Sequence, residues 1–498
     1  MRASGILMHI TSLPGAYGVG TLGKQAFAFV DFLECAGQSL WQLLPLNPTG
    51  YGDSPYQSCS TFAGNHYLID LEELEQQGLL KKEEIEEANW GDDPLKVDFG
   101  ALYNNRLKLL RKAWERFTDD GAFQSFCAEN SVWLSDFALY MALKEELGAP
   151  WYQWPEGLKL RRTEDIWQAR RRLEKQVQFY SFVQYLFFTQ WKKLKTYAAK
   201  KGIRIIGDVP IYVPYDSVEL WVNPELFQLD EKLQPTAVAG CPPDAFSEDG
   251  QLWGNPLYCW DAHKKDGYSW WLRRLGAAGK LFDIVRLDHF RGFEAYWSVP
   301  FGDETAKGGK WLKGPGTDFF KTVQEQLPDV ELIAEDLGFL TREVLDLRDG
   351  FDLPGMKVLG FAFDSREPSE YLPYQYPQNA VCYTGTHDNM TTRQWFDTAS
   401  EDAVAYAVEY MRLTEQEGYV WGVIRTAMAS PAKWAVVPMQ DYLDLGAEAR
   451  MNFPGTTGCN WTWRMQAGVL TPALSEKICK LTKLYGRIPK KGEKKYEL

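Results

Sequence analysis

The stretch Ile284-Val285-Arg286-Leu287-Asp288 places a short, mostly apolar run directly before an aspartate, and this pattern decides the fold. It recurs where Glu335 follows Val330–Ala334, and where Asp388 follows Ala380–Tyr383 after a short polar step. Short apolar runs bounded by polar residues predict buried parallel strands. A (β/α)₈ barrel keeps its catalytic groups just past the C-terminal ends of such strands. The three carboxylates therefore predict acid/base and nucleophilic chemistry on a polar, uncharged substrate.

Eight such runs predict the strands of a single barrel. They are Gly5–His9, Ser39–Leu44, Ile203–Asp208, Ile284–Leu287, Glu331–Ala334, Met356–Phe361, Ala380–Tyr383 and Trp434–Met439. Helical patterns at Asp318–Gln326 and Thr341–Leu347 lie between later strands. This alternation predicts the α/β class and a (β/α)₈ TIM barrel filling residues 1–498, with large helical and loop insertions between its strands.

Two insertions interrupt the barrel pattern. Residues 48–200 predict a mainly helical subdomain, in which Leu71–Glu87 and Thr163–Lys200 are charged helices with solvated faces. Residues 210–276, rich in Pro, Gly and aromatic side chains, predict a lid or substrate-binding subdomain. The Lys490–Lys495 tail is expected to be frayed.

Composition narrows the class of partner. The formal net charge of −13 disfavours nucleic acid and anionic membrane surfaces, but not a neutral ligand. Most of the 20 tryptophans are expected in the core, and the rest as flat platforms that suit sugar rings. The eight cysteines are scattered without a zinc-type spacing, which is typical of reduced thiols and predicts a cytoplasmic protein. The N-terminal apolar stretch is too short for a signal peptide, and no run is long enough to span a membrane.

The strand ends predict distinct roles for the acidic residues. Period-2 alternation points Arg286 and Asp288 the same way, so the guanidinium would keep Asp288 ionised as a nucleophile. A purely structural ion pair fits the same spacing. Glu335, in a partly apolar setting, is expected to have a raised pKa and to act as a general acid. Its alternative role, helix N-terminal charge, would fall instead to Asp336. For Asp388 the alternative is a turn and helix cap.

Two carboxylates of unequal role plus a third acid are typical of glycoside chemistry with retention. One carboxylate attacks the anomeric carbon while the other protonates the leaving oxygen, and such pairs lie about 5–5.5 Å apart. The third acid would bind ring hydroxyls with help from His289 and His387. Asp208 is a further acid at a strand end, that of the third strand.

Three loops are expected around the barrel mouth. Residues 49–58 bring two tyrosines, and residues 450–461 follow the last strand. Residues 240–256 predict a long ordered loop with aromatic tips, Phe246 and Trp253 among them, which suits a lid that excludes water. The alternative is a surface loop packed by its own aromatic side chains.

Over nearly the whole chain these stretches resemble the amylomaltases or disproportionating enzymes, the 4-α-glucanotransferases of glycoside hydrolase family 77. The resemblance rests on the loop at 52–58, Gly207–Pro210, the Trp253 loop, Arg286–Gly292, Glu335–Gly338 and His387–Asn389. It implies that Asp288 is the nucleophile, Glu335 the general acid/base and Asp388 the transition-state stabiliser. The substrate-binding residues it indicates are Ser54, Tyr56, Asp208, Trp253, Arg286, His289, His387 and Asn460, with Tyr51 at a second glucan site.

The resemblance also implies no metal, no organic cofactor and no separate C-terminal β-domain. It favours transfer between α-1,4-glucans such as maltooligosaccharides, starch and glycogen. The nearest alternative is a retaining α-glucan hydrolase on the same barrel. A non-catalytic glucan-binding protein is a further alternative, which the intact set Asp288, Glu335 and Asp388 opposes. A phosphate-binding barrel enzyme is disfavoured because the late strands lack a Gly-rich phosphate loop.

Overall fold

The structure, a computed structural model, describes residues 2–243, 248–338, 340–364 and 369–488, without the side chain of Tyr51. The strands in these residues are β1 (Ala3–Leu7), β2 (Leu40–Gln42), β3 (Arg204–Val209), β4 (Ala237–Cys241), β5 (Gln251–Pro256), β6 (Ile284–Leu287), β7 (Ala295–Pro300), β8 (Lys310–Lys313), β9 (Leu332–Ala334), β10 (Gly355–Val358), β11 (Ala380–Tyr383) and β12 (Trp434–Pro438). The predicted tail Lys490–Lys495 lies outside the described residues.

The helices alternate with the strands or extend the connections between them. They are α1 (Lys24–Cys35), α2 (Leu71–Gln76), α3 (Lys82–Glu86), α4 (Phe99–Arg116), α5 (Ala122–Glu129), α6 (Ser131–Leu147), α7 (Glu156–Lys159), α8 (Thr163–Arg172), α9 (Glu174–Lys200), α10 (Val218–Val222), α11 (Trp260–Lys265), α12 (Ser269–Leu281), α13 (Gly316–Gln326), α14 (Arg342–Gly350), α15 (Thr392–Thr398), α16 (Glu401–Met411), α17 (Tyr419–Ala429), α18 (Met439–Tyr442) and α19 (Pro472–Leu484). Within the described part of the chain, no helix is both long and apolar enough to cross a membrane.

Eight parallel strands form one sheet in the order β10-β11-β12-β1-β2-β3-β6-β9, which confirms the predicted barrel. Six of the predicted strands shift by one or more residues at an end, while Ile284–Leu287 and Ala380–Tyr383 match. The sixth strand ends at Val358 rather than Phe361 because Leu359–Phe361 turn into a 3₁₀ helix. Apolar residues fill these strands because both faces of a barrel sheet are covered.

A single seam joins the two ends of this sheet. The N–H of Ala334 on β9 donates to the carbonyl of Pro354, just before β10, at 2.9 Å. Asp336 strengthens the seam by accepting from the Met356 N–H at 2.7 Å and from Arg348 at 2.5 Å. The prediction that Asp336 supplies charge to the next helix is therefore wrong, because α14 begins only at Arg342.

Close strand packing demands glycine at two barrel positions. A Cβ on Gly207 of β3 would lie 2.1 Å from the Phe282 ring, and one on Gly5 of β1 would lie 2.5 Å from Leu40. Real Cβ atoms do not approach neighbours this closely, so a larger residue would displace the Phe282 ring at Gly207 and push β1 away from β2 at Gly5.

Helices α2–α9 fill the connection between β2 and β3. The side chains of Asp70 and Asp98 cap α2 and α4 by accepting from backbone N–H groups in the first turn. The long helix α9 packs against α6 and, on the barrel side, against α1. Each of the two charged helical stretches predicted here consists of two helices, and the division of residues 48–200 as a subdomain stays a prediction.

A second, antiparallel sheet has the order β5-β4-β7-β8. Its first pair follows barrel strand β3 and its second pair follows β6, so two barrel connections share one sheet. The prediction of a long loop at 240–256 is wrong for the residues in β4 and β5. These Gly- and Pro-containing segments have little strand propensity of their own and gain their hydrogen bonds by pairing with each other and with the distant β7. Phe246 lies outside the described residues.

Candidate active site

A buried ion pair forms the floor of a cleft at the C-terminal ends of the barrel strands. Asp208 on β3 lies opposite Arg286 on β6 in the strand register. One terminal nitrogen of Arg286 donates to both carboxylate oxygens of Asp208, at 2.8 and 2.7 Å. Both side chains are almost fully buried. The pair therefore fixes the guanidinium within the barrel mouth.

Asp288 stands above this floor, two residues beyond Arg286. The same Arg286 nitrogen lies 3.2 Å from Asp288 Oδ1, which confirms that the two side chains share a face. Burial raises the pKa of Asp288 to about 6; the Arg286 guanidinium opposes the shift, and the carboxylates of Asp208 and Asp388 add to it. Arg286 thus cancels only part of the rise in the Asp288 pKa that burial causes. Its shorter hydrogen bonds go to Asp208. Asp288 is still mainly ionised at neutral pH.

Glu335 occupies the neighbouring strand end. Leu287 of β6 pairs with Ala334 of β9, so Asp288 and Glu335 are the next residues on adjacent strands. The Glu335 carboxyl accepts from the His289 N–H at 2.6 Å and from the Leu337 N–H at 3.1 Å. Burial raises its pKa to about 8 despite Arg286, and the charge of Asp288 adds to the rise. The predicted raised pKa is thus confirmed, and Glu335 is mainly protonated at neutral pH.

His289 has the left-handed backbone conformation that orients its N–H toward Glu335. Its φ of 47° is uncommon for a residue other than glycine. The imidazole meets the Trp253 ring edge to face, with centroids 4.8 Å apart. Burial lowers the pKa of His289 to about 4, so the ring is neutral at pH 7. Trp253 reaches this position from β5, and so the small antiparallel sheet supplies one wall of the cleft.

Asp388 lies on the segment that follows β11. Its carboxylate contacts His387 Nε2 at 3.2 Å and accepts from the Asn452 side-chain amide at 2.6 Å. Burial favours the neutral acid, but His387, Asn452 and Arg286 outweigh it and hold the pKa of Asp388 below its ordinary value. With 42% of its side chain exposed, Asp388 is an ionised carboxylate that faces the open cleft.

Tyr56 connects the loop after β2 to the groups from β3 and β11. Its hydroxyl donates to Asp208 Oδ2 at 2.8 Å and lies 2.8 Å from His387 Nε2. The Tyr56 and His387 rings stack with an interplanar angle of 14°. Because the hydroxyl donates to Asp208, it is free to accept from an Nε2–H on His387. This network closes one side of the cleft.

The remaining predicted site residues are held mainly by their own loops. Ser54 Oγ accepts from the Tyr56 N–H at 3.2 Å and so shapes the Tyr56 turn. Asn460 is 3% exposed, and its amide accepts from the Phe453 N–H and donates to the Thr456 carbonyl. The side chain of Tyr51 lies outside the described residues.

Sequence reasoning missed two residues that hold Asp388. Asn452 binds its carboxylate, and Arg450 donates to its backbone carbonyl at 3.2 Å. Both lie on the predicted loop after the eighth strand. Neither stands at a strand end, because β12 ends at Pro438 and α18 follows it, so the strand-end pattern that indicated the acids gave no signal for these two residues.

The cleft therefore combines two carboxyl groups of unequal pKa with a third, ionised one. An ionised Asp288 beside a protonated Glu335 is the state required for nucleophilic attack with protonation of a leaving group. Trp253 and Tyr56 add aromatic surface beside these acids, which suits the apolar faces and hydroxyl-bearing edges of sugar rings.

Comparisons with known proteins match one family over most of the chain. The family described as 4-alpha-glucanotransferase, glycoside hydrolase family 77, matches residues 8–471. A 4-alpha-glucanotransferase from Clostridium butyricum is 51% identical over 96% of this chain and all of its own length. One from Streptococcus pneumoniae is 48% identical over 98% of both chains. The amylomaltase from Streptococcus agalactiae, solved in complex with acarbose, is 43% identical and superposes with a TM-score of 0.95 over 98% of this chain and all of the other.

Proposed function

The chain belongs to the 4-alpha-glucanotransferases of glycoside hydrolase family 77, and from this premise we propose that it moves α-1,4-glucan segments by a retaining double displacement. The observation that carries the proposed mechanism is the pairing of Asp288 and Glu335, with unequal pKa values, at adjacent strand ends. Transfer is the activity for which the family is named, so the hydrolase alternative is set aside.

Asp288 is the nucleophile of the proposed reaction. Its oxygen attacks the anomeric carbon of the donor glucan and forms a glycosyl ester, while the glycosidic carbon–oxygen bond breaks. The contact of 3.2 Å with Arg286 orients the carboxylate and stabilises its charge. With part of its side chain exposed, Asp288 is open to the cleft.

Glu335 is the general acid and then the general base. In the first step its proton goes to the departing 4-oxygen of the glucan. In the second step the Glu335 carboxylate takes the proton from the 4-hydroxyl of an acceptor glucan, whose oxygen displaces Asp288 from the anomeric carbon. Atoms and charge balance over the cycle, because both carboxyl groups return to their starting states. The N–H groups of His289 and Leu337 fix the carboxyl orientation in both steps.

Asp388 stabilises the positive charge that develops on the sugar ring in the transition state of each step. Its depressed pKa keeps the carboxylate charged throughout the cycle. Tyr56, Asp208, Arg286, His289, His387 and Trp253 line the subsites around the reacting sugar in this proposal. Ser54 and Asn460 contribute by shaping the loops that cover it, and Tyr51 belongs to a second glucan site.

Donors and acceptors in this proposal are maltooligosaccharides, starch and glycogen. Strand β5, which carries Trp253, and the loop around Asn460 favour a sugar acceptor over water by covering the cleft. A cytoplasmic location is included in the proposal, and the eight cysteines, none of which forms a disulfide in the described residues, support it.

Incubation with maltotriose tests the proposal. Transfer gives longer and shorter maltooligosaccharides together with glucose, at nearly constant total reducing ends. A steady rise in reducing ends would instead show that water is the main acceptor. The variant Asp288→Asn, which keeps the size of the side chain, is the control for contaminating activity.

A further inference from the structure

One buried carboxylate is hydrogen-bonded to both ends of the segment that carries Asp388. The segment begins at Thr384, directly after β11, and ends at Thr392, the first residue of α15. Asp441 on α18 accepts from Thr384 Oγ1 at 2.5 Å. It also accepts from the N–H of Thr392 at 2.8 Å and from its hydroxyl at 2.7 Å. Asp388 lies at the centre of the segment closed in this way.

The interior of this segment is fixed as well. The Asn389 side-chain oxygen accepts from the Thr386 N–H and hydroxyl, both at 2.8 Å, which forms a tight turn around Asp388. Arg450 and Asn452 then bind Asp388 from the connection that follows β12 and contains α18. The position of Asp388 thus depends on contacts from one neighbouring connection, at its ends and at its centre.

The chemistry of Asp441 suits this task. It is 1% exposed, and a carboxylate offers enough acceptor sites on two oxygens to bind three donors at once. The Thr392 N–H is one of the groups that the start of a helix leaves without an intrahelical partner. Burial raises the pKa of Asp441, while the hydrogen bonds from Thr384 and Thr392 oppose the rise. A short apolar side chain here would leave three buried donors without this acceptor.

We propose that Asp441 is a positioning residue for the reaction: by holding Thr384 and Thr392 it sets the place of the Asp388 carboxylate against the reacting sugar. The inference rests on the proposed role of Asp388. Asp441 itself does not touch the substrate, and its effect passes through the segment between the two threonines. Displacement of a catalytic group by about 1 Å costs up to about 10²-fold in rate.

The test compares Asp441→Ala with a matched control, Asp444→Asn. Asp444 lies three residues further along and pairs with Arg393 on α15, outside the threonine contacts. The donor is α-maltosyl fluoride, whose leaving group needs little protonation, so that slow variants stay measurable. Asp441→Ala is expected to lower kcat by about tenfold or more with a smaller change in KM. Asp444→Asn is expected to keep kcat within about twofold.

The decisive measurement repeats Asp441→Ala in an Asp388→Asn background. A residue that acts only through Asp388 has nothing left to position there, so the kcat loss should vanish. An equal loss in both backgrounds, or an unchanged kcat in the single variant, would overturn the proposal. Wild-type turnover by Asp388→Asn alone would instead refute the role of Asp388.

Thr384→Val provides the same test if Asp441→Ala does not fold. It keeps the shape of the side chain and removes one hydroxyl donor at one end of the segment. A smaller kcat loss that also disappears in the Asp388→Asn background supports the proposal. A loss that persists there refutes it.

Discussion

The backbone N–H of His289 donates to Glu335 Oε2 at 2.6 Å, so the strand end that carries Asp288 also holds the carboxyl of the neighbouring strand. His289 directly follows Asp288, and its left-handed backbone conformation turns its N–H toward Glu335. A change in one acid's backbone would therefore move the other. The proposed nucleophile and acid/base are coupled in geometry as well as in charge.

The pH dependence of kcat/KM should be bell-shaped. Activity requires ionised Asp288 and is lost as the pH falls through about 6, the raised pKa of that group. It also requires protonated Glu335 and is lost as the pH rises through about 8. Initial rates with maltotriose across this range give both limbs directly.

Glu335→Gln tests whether Glu335 causes the loss of activity at high pH, the alkaline limb of the pH profile. Single-turnover fluoride release from α-maltosyl fluoride should survive in this variant, because fluoride needs little protonation, and should no longer fall above pH 8. A persisting alkaline limb would assign that limb to another group.

Asp288→Asn should lower turnover by about 10⁴-fold or more, because the amide cannot form the glycosyl ester. The matched control is Asp283→Asn, just before the same strand but at its opposite end. Asp283 accepts from the Ile205 N–H at 2.8 Å, a bond that asparagine can also accept. The kcat of Asp283→Asn should stay within about twofold of the wild-type value. Comparable losses in both variants would indicate a general effect on the strand.

Asn452→Ala should lower kcat by about 10- to 100-fold, the usual worth of a hydrogen bond to a charged group. Without the amide at 2.6 Å, the pKa of Asp388 rises and its carboxylate loses its orientation. The control is Asn379→Ala, whose amide donates to the Asp352 carboxylate at 2.9 Å beyond the opposite end of β11. A steady-state comparison in which both variants lose activity equally would argue against a specific role for Asn452.

Asp336→Ala should destabilise the barrel seam by about 3–5 kcal/mol, since it leaves Arg348 without its buried partner. The exposed pair Arg342–Asp346 provides the control, and Asp346→Ala should change the free energy of unfolding by less than about 0.5 kcal/mol. Urea unfolding followed by tryptophan fluorescence measures both. Similar midpoints for the two variants would show that Asp336 does not stabilise the seam.

The sequence by itself determined the barrel and the strand-end acids. Runs such as Ile284–Leu287 are apolar because both faces of a barrel strand are buried, and a polar residue at such a strand end stands out against them. The shared face of Arg286 and Asp288 also follows from local geometry, because side chains alternate along a strand. These are properties of a few consecutive residues.

Only the tertiary structure decided what these acids contact and how they titrate. The balance that leaves Asp288 with a pKa of about 6 and Glu335 with about 8 comes from burial and from charges on other strands. Three further features depend on contacts between separate segments of the chain. These contacts join Asp336 to Arg348, β4 to β7, and Asn452 to Asp388. Electrostatic and hydrogen-bond energies depend on distance and burial in space, and local sequence patterns do not encode either.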